Sequence, residues 1–458
     1  MEETKILSHY LSHLTYEDLD AKAVEETKKA LLDWIGLSIS GSTEEPPRIL
    51  RDVLSGGDTR KESTLLFAEK KGIPAEKCGA LHAAFLNGAA SHSQDFDDLH
   101  NPSVIHLACV VIPPALALGE AREKSGKELI AAIAAGYELG GRVGEAVQPD
   151  SYYFWHTTGT VGCLAGAASS ASILSLPEYG WIHALGSAGI QASGLWDFVS
   201  QGAMSKPLHV GKACYAGVLS ALLAEKGFTG SATILEGQKG FLRAMMKEPK
   251  WEKITEHLGK DFKVAHNSIK PYPCCKHSHA AIFGTEKLMK EMNLSAEDIK
   301  TISLYVNDIT DSLINNPAPQ TPYGCKFSIQ YCVSSMAVRN RVGLEDFRAD
   351  SIHDPGVVRF IEKVKVVKDD EMTAMHNSHP DQLGSKIEIE TADGRKRSLL
   401  VRYPKGDPEE PLSFEEVAKK GHQMTDGLIG AEKYEKIIRF VEHLEDVENI
   451  RKAMEEIF

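Results

Sequence analysis

The 458-residue chain lacks the short motifs of nucleotide, zinc-protease and serine-hydrolase chemistry. A Walker A loop, Gly-x-Gly-x-x-Gly, His-Glu-x-x-His and Gly-x-Ser-x-Gly are all absent. The Gly-Ser-x-x-Met-Pro-x-Lys-x-Asn signature of fumarase-type helical lyases is missing too. Positive charge is in the minority. Lys and Arg number 51 against 64 Asp and Glu, a net charge of −13. That argues against a nucleic-acid or anionic-membrane partner, which needs clustered cations. It leaves a small anionic substrate open, because a pocket can be basic inside an acidic protein. No apolar run reaches ~18 residues, so no membrane span is expected. The N-terminus lacks the basic and apolar regions of a signal peptide, which implies a cytoplasmic location. Eight Cys lack any Cys-x-x-Cys spacing, so neither a disulfide framework nor a zinc knuckle is expected. Cys78, Cys109, Cys163 and Cys214 lie in small apolar stretches and read as buried thiols. There is no internal repeat and no low-complexity segment.

What is present is a foldable chain, 42% hydrophobic and long enough for two or three domains. The first ~260 residues show mainly helical spacing. Thr15 and Asp18 form a capping-box pattern. Leu19, Val24, Leu31, Leu32 and Ile35 continue a helical stripe, and Gly41 fits a stop. After Pro74 the runs around residues 75–98, 127–147, 158–176 and 211–227 are rich in Ala, Gly and Ser. Small residues let helix backbones approach closely, so a tightly packed helical domain is expected.

Near residue 263 the texture changes. FKVAHNSIKPYP, IKTISLYVND and VKVVKD have the β-branched content of strands. SKIEIETADGRKRSLLVRYP alternates, turns at Asp393-Gly394 and alternates again, the pattern of a hairpin. Helical runs start near Ser278 and Phe327, and a charged helical pattern returns from Ser413. The fold class is therefore mainly α with an α+β second domain. Residues 1–262 form the helical domain, completed by 405–458, and 263–404 form the inserted α+β domain.

Five clusters could carry chemistry. The densest runs from His92 through Asp95, Asp97, Asp98 and His100 to Asn101 and His106. Crowded carboxylates raise one another's pKa or hold a cation. The cluster reads as an acid/base site, as a metal site of the Asp97-Asp98-x-x-Asn101 kind, or simply as a solvated helix end. An EF-hand is excluded by Leu99 and the missing Gly. His156-Thr157-Thr158-Gly159-Thr160 precedes a small-residue helix and either caps it or points its N–H groups at an anion. Lys206-Pro207-Leu208-His209 puts Lys206 in extended chain just before a helix, where a carboxylate could bind. Lys270-Pro271-Tyr272-Pro273-Cys274-Cys275-Lys276-His277-Ser278-His279 is a stiff polar turn with a poor zinc spacing. Tyr331, in Ser328-Ile329-Gln330-Tyr331, is a proton donor or a core aromatic.

Taken together these segments resemble the MmgE/PrpD family. The carriers are Asn87-Gly88 with His92 and Asp95-Phe96-Asp97-Asp98, then His156-x-Thr158-Gly159-Thr160 and Lys206-Pro207-Leu208-His209-x-Gly211. Lys270-Pro271-Tyr272-Pro273-Cys274-Cys275, Ser328-x-Gln330-Tyr331 and Tyr403-Pro404-Lys405-Gly406-Asp407-Pro408 follow in register. The family includes 2-methylcitrate dehydratase, cis-aconitate decarboxylase and iminodisuccinate epimerase. The resemblance implies a large helical domain with a smaller α+β lid domain, a homodimer, and no metal or organic cofactor. It implies a site lined by Asp95, His106, His156, Lys206 and Tyr331. Three positions depart from the pattern. Leu99 replaces a usual Thr, Leu107-Ala108 replaces Pro and a small residue, and Cys275 stands where the decarboxylase branch has His. Cys275 turns the expectation toward a lyase of the 2-methylcitrate dehydratase type. An epimerase, a decarboxylase and a non-catalytic carboxylate binder are the alternatives.

The shared chemistry makes or breaks a C–H bond beside a carboxylate. The site must then stabilise negative charge and move a proton. His106 and His156 are the expected acid and base, Tyr331 a further donor, and Asp95 the residue orienting a His or Lys. Lys206, His209, Lys270, Tyr272, Cys275 and His100 are the expected substrate contacts. If these clusters meet, with Lys276, an acidic protein carries a basic pocket for a small carboxylate.

Overall fold

A computed structural model describes residues 2–54, 60–68, 76–198, 203–379 and 381–458. Pro74 lies outside them. The chain is mainly α, with an α+β second part. It divides into two compact units, Met1–Ile269 with Ser413–Phe458, and Lys270–Leu412.

The site-bearing helices of the first unit are α1 (Ala21–Gly41), α2 (Ala80–Ser91), α3 (Ala108–Ala121), α4 (Gly126–Val147), α5 (Thr157–Ile173) and α6 (Ser205–Glu225). The Thr15–Asp18 capping box forms, but it closes a 3₁₀ turn at Tyr16–Asp18. Helix α1 starts one step later, where Asp20 accepts the N–H of Ala23 at 2.7 Å. Helix α5 is buried nearly all round, as a helix without a polar face must be. It packs on α3, α4 and α6. Helix α6 is long and apolar enough to span a bilayer, yet it is a core helix against α5 and α2.

Small residues set these crossings. A Cβ on Gly217 would lie 2.5 Å from the Gly166 carbonyl carbon and 2.7 Å from the Ala167 nitrogen. Helices α6 and α5 thus meet backbone to backbone. Pro113 and Pro114 sit inside α3. Pro113 has no N–H for the Cys109 carbonyl, and the Cys214 thiol of α6 donates to that carbonyl at 3.2 Å. All eight cysteines are buried.

The second unit holds α7 (His279–Met292), β1 (Ile299–Val306), α8 (Ile329–Arg339), β2 (Val364–Lys368), β3 (Ser385–Thr391) and β4 (Lys396–Val401). The sheet order is β2-β1-β3-β4. Strands β1 and β2 are parallel, and the other neighbours are antiparallel. The β3–β4 hairpin turns where the sequence places it, with Gly394 at φ +88°. Ile387 and Ile389 face inward with Ile302 and Leu304, in one core with residues of α7 and α8.

The segment beginning at Phe262 departs from its expected strand. Lys263–His266 is a 3₁₀ turn of the first unit, and Ser268 makes a single bridge to Leu99. Side chains of α4 override the β-branched pattern. Glu138 accepts the Lys263 N–H at 2.9 Å, and Glu145 pairs with the Lys263 ammonium at 2.8 Å. After the second unit the chain returns through α9 (Phe414–Ile429) and α10 (Ala431–Glu442), which pack on α1. Ser413 and Glu416 form the capping box that starts α9.

Two glycine substitutions test this packing. Gly217→Ala should cost about 1–3 kcal/mol by overpacking. Gly427→Ala on α9, where a Cβ meets nothing within 4 Å, should add about 0.5–1 kcal/mol. Chemical denaturation of both variants checks the sign, and a Gly217→Ala variant as stable as wild type would contradict the backbone contact.

Candidate active site

The site of the first unit is built on the irregular segment between α2 and α3. His92 ends α2. Asp95 adopts a left-handed φ of +56°, which Asp tolerates better than most residues. Leu99 exchanges backbone hydrogen bonds with Ser268. A 3₁₀ turn at Asn101–Ser103 leads to Val104, a β-branched residue at φ +53°. Such a conformation costs of order 1–3 kcal/mol and needs support. The Thr157 hydroxyl supplies it by donating to the Val104 carbonyl at 2.7 Å. The Thr158 hydroxyl accepts the N–H of His106 at 3.3 Å. The two threonines expected to cap α5 or face an anion thus hold the chain that aims His106.

At the centre is Asp97, whose side chain is 1% exposed. Its Oδ2 lies 2.6 Å from His92 Nδ1 and 3.3 Å from His106 Nδ1. His106 Nδ1 is also 2.5 Å from the Asp98 carbonyl oxygen. The Asp97 and Asp98 oxygens facing these two nitrogens accept, so both Nδ1 atoms carry a proton and both Nε2 atoms are the basic ones. The Nε2 of His92 is buried with no hydrogen-bond partner among the described residues. Burial holds the His92 pKa below its ordinary value, against the pull of Asp97.

Asp98, the neighbour of Asp97, faces elsewhere. It accepts from the Tyr137 hydroxyl at 2.7 Å and from the Ala108 N–H at 3.1 Å. Burial and the adjacent Asp97 push its pKa up to about 7. Asp98 therefore anchors the start of α3 and does not join Asn101 in a magnesium motif. His92, Asp97 and His106 do offer one ligand-type atom each within 4.8 Å of one another. The contacts to Asp97 are hydrogen-bond lengths, and a cation would have to replace the Nδ1 protons.

His156 caps α5 and stacks on His92, with centroids 5.4 Å apart and planes at 19°. Trp196 and Phe198 flank it at 4.7 and 6.5 Å. Its Nδ1 lies 3.3 Å from Nδ1 of His209 on α6. Burial drives both histidines down, His156 well below its ordinary value and His209 to about 4. Both are neutral at pH 7, so His209 is a hydrogen-bonding group there and no cationic anchor. Lys206 belongs to the first turn of α6, not to extended chain before it. A first turn loses no backbone bond to Pro207, and the Lys206 ammonium pairs with Asp95 at 2.8 Å. Within this unit the basic pocket expected from sequence is instead a balanced set of paired charges and neutral imidazoles.

The first unit brings together Asp95, His106, His156, Lys206 and His209. It separates His100, which binds Ser103 at 2.8 Å and lies 3.9 Å from Glu145, beside Gly141 of α4. His100 is thus a core histidine, and burial lowers its pKa well below normal. The substituted Leu107 is fully buried, filling the space left by Gly140 of α4. Sequence reasoning read Asp97 only as part of a possible metal motif and gave neither it nor His92 a catalytic role. Nor did it name Trp196 or Phe198, which have no signature spacing.

The remaining expected residues lie in the second unit. The Tyr331 hydroxyl donates to the Asp346 carbonyl, and its ring lies against Phe347. Within its unit that is a core tyrosine. Tyr272 donates to Glu286 at 3.3 Å and packs its ring on His279. Lys270 and Cys275 are buried. Lys276 pairs with buried Asp407 at 2.5 Å, which ties the 270–279 turn to the 403–408 segment. His277 binds Thr310 and His279 approaches the Cys274 carbonyl, so they face different partners.

Two family models match this chain, the MmgE/PrpD N-terminal domain over residues 5–254 and the C-terminal domain over 272–446. The chain belongs to the MmgE/PrpD family. Among curated relatives, it is 25% identical to the cis-aconitate decarboxylase-like protein oryM of Aspergillus oryzae, over 98% of this chain and 96% of that protein. It is 26% identical to cis-aconitate decarboxylase of Aspergillus terreus, covering 99% and 95%. The human cis-aconitate decarboxylase is also 26% identical, covering 94% and 89%. This MmgE/PrpD protein is a lyase.

Asp98 gives this family member a pH signature. Folded Asp98 keeps its proton up to about pH 7, whereas the unfolded carboxyl releases it near 4. Its contribution to stability is therefore complete at low pH and is lost as pH rises from about 4 to about 7. Asp98→Asn, which cannot ionise, should gain on wild type across that window by roughly 1 kcal/mol per pH unit. Urea midpoints of both proteins at pH 5 and pH 7.5 measure this, and a difference independent of pH would refute it.

Proposed function

We propose that the chain is a lyase acting on a small di- or tricarboxylate, and that it decarboxylates a substrate of the cis-aconitate type. The match to cis-aconitate decarboxylases along nearly the full length of both partners supports this branch over 2-methylcitrate dehydratase. The His92–Asp97–His106 arrangement supports the chemistry. Loss of CO₂ from such a substrate leaves an electron pair that forms a new C=C bond. The old C=C pair then takes a proton at the carbon beside a remaining carboxylate. That step needs one general acid and donors for the developing negative charge.

In this reading His106 takes up a solvent proton at Nε2 as the anionic substrate binds and delivers it to the substrate carbon, with Asp97 and the Asp98 carbonyl holding Nδ1. His92, on the same carboxylate, helps to fix Asp97. Lys206, held by Asp95, meets a substrate carboxylate. His156 and His209 donate as neutral imidazoles, with Trp196 and Phe198 as their apolar wall. Cys275, in place of the decarboxylase histidine, favours a second reading, dehydration of a 2-methylcitrate-like acid in the same pocket.

NMR of the purified protein with cis-aconitate, 2-methylcitrate, citrate and iminodisuccinate in D₂O separates these readings. Decarboxylation gives CO₂ and a methylidene product with one deuterium beside a carboxylate. An alkene from 2-methylcitrate without CO₂ would move the chain to the dehydratase branch, and exchange without net loss would make it an epimerase. His106→Ala should lower kcat/KM by 10²- to 10⁴-fold, and Lys206→Ala should act mainly through KM. Wild-type rates in both would sink this site. EDTA should leave turnover unchanged, and a loss restored by Mg²⁺ would make the His92–Asp97–His106 group a metal centre.

A further inference from the structure

Lys420 lies on α9, 324 residues from the Phe96 carbonyl that it binds. It is 6% exposed, and a buried ammonium is costly unless fully engaged. Its Nζ is 2.7 Å from Oδ1 of Asp33 on α1 and 2.9 Å from the Phe96 oxygen. It also sits 3.9 Å from the centre of the Phe96 ring. Asp33 and Phe96 are themselves buried. Neutralising Asp33 would need only the first contact. The other two fall on the segment that carries the acid/base group.

The position of that carbonyl gives the contact its consequence. The peptide unit is planar, so the Phe96 oxygen and the Asp97 nitrogen and Cα move as one body. A group that fixes the oxygen fixes the root of the Asp97 side chain. The Asp97 carboxylate in turn holds Nδ1 of His92 and of His106. Asp95, on the other side of Phe96, has the left-handed backbone that turns the chain into this position.

We infer that Lys420 is a positioning residue, which sets the orientation of the His92 and His106 imidazoles by clamping the Phe96–Asp97 peptide against α1. The clamp reaches the site from the chain segment that follows the second unit, so the catalytic segment is complete only when that segment has docked. The effect on turnover rests on the proposed function, but the effect on the imidazoles does not.

The test uses the full chain with Lys420→Met, Lys420→Arg and the double variant Asp33→Asn/Lys420→Met. The double variant leaves no charge stranded and decides the matter if Lys420→Met does not fold. Histidine ¹⁵N spectra, assigned with His92→Gln and His106→Gln, report which ring nitrogen carries the proton. The expected result is a folded variant in which the single Nδ1–H form of His92 and His106 gives way to mixed tautomers. With a substrate established, kcat should fall roughly 10- to 100-fold with KM within about threefold, and Lys420→Arg should recover part of it. Wild-type tautomers and kcat in the double variant would overturn the inference, reducing Lys420 to a counter-ion for Asp33. A wild-type protein inactive on every carboxylate would overturn the proposed function, and the ¹⁵N spectra would still decide the clamp.

Discussion

The Asp97 carboxylate is the constraint around which the irregular segment between α2 and α3 is arranged. A carboxylate taken from water must be surrounded by donors, and in this position two of them are imidazoles. Serving both requires His92 at the end of α2 and His106 just before α3 to face one oxygen. The chain between them cannot be a regular element and still do so. It turns through left-handed residues at Asp95 and Val104, and its strained conformation is held by Thr157, Ser268 and Lys420. The small-residue helices supply the rigid frame, since Gly88, Gly159, Gly166 and Gly217 let α2, α5 and α6 come close enough for those contacts.

Burial shapes the electrostatics more than net charge does. The −13 of the whole chain describes mostly its exterior. Inside the first unit, desolvation leaves His92, His156 and His209 uncharged, and Lys206 is matched by Asp95. A polyanionic ligand arriving there would raise the pKa of every imidazole it approaches. Proton uptake would then accompany binding, and the charge that receives the substrate would be created by it. Such coupling suits an acid that must be protonated only when a substrate is present to take the proton.

Several features were legible from sequence because they depend on neighbours along the chain. The β3–β4 hairpin follows from strict alternation around Asp393-Gly394. The capping box at Ser413 and the small-residue helices follow from local spacing. The cluster from His92 to His106 stood out because it concentrates titratable groups within a few residues, a pattern that a solvated helix end also shows. Family membership was readable for the same reason, in motifs ordered along the chain.

What local pattern could not reveal is which partner each side chain would find. FKVAHN has strand composition, but Glu138 and Glu145 on α4 claim Lys263 and leave a 3₁₀ turn. His100 lies in the same cluster as His106, but turns to Ser103 and Glu145 as a core residue. Tyr331 has the look of a donor, and its hydroxyl is taken by a backbone carbonyl. His92 and Asp97 pair across an irregular turn that no period of 2 or 3.6 describes. Composition, periodicity and motif order determined the fold class, the family and the residues from which the site is drawn. Tertiary packing decided which of them share a carboxylate, which are neutral and which are merely core, because burial and distance across hundreds of residues set those properties.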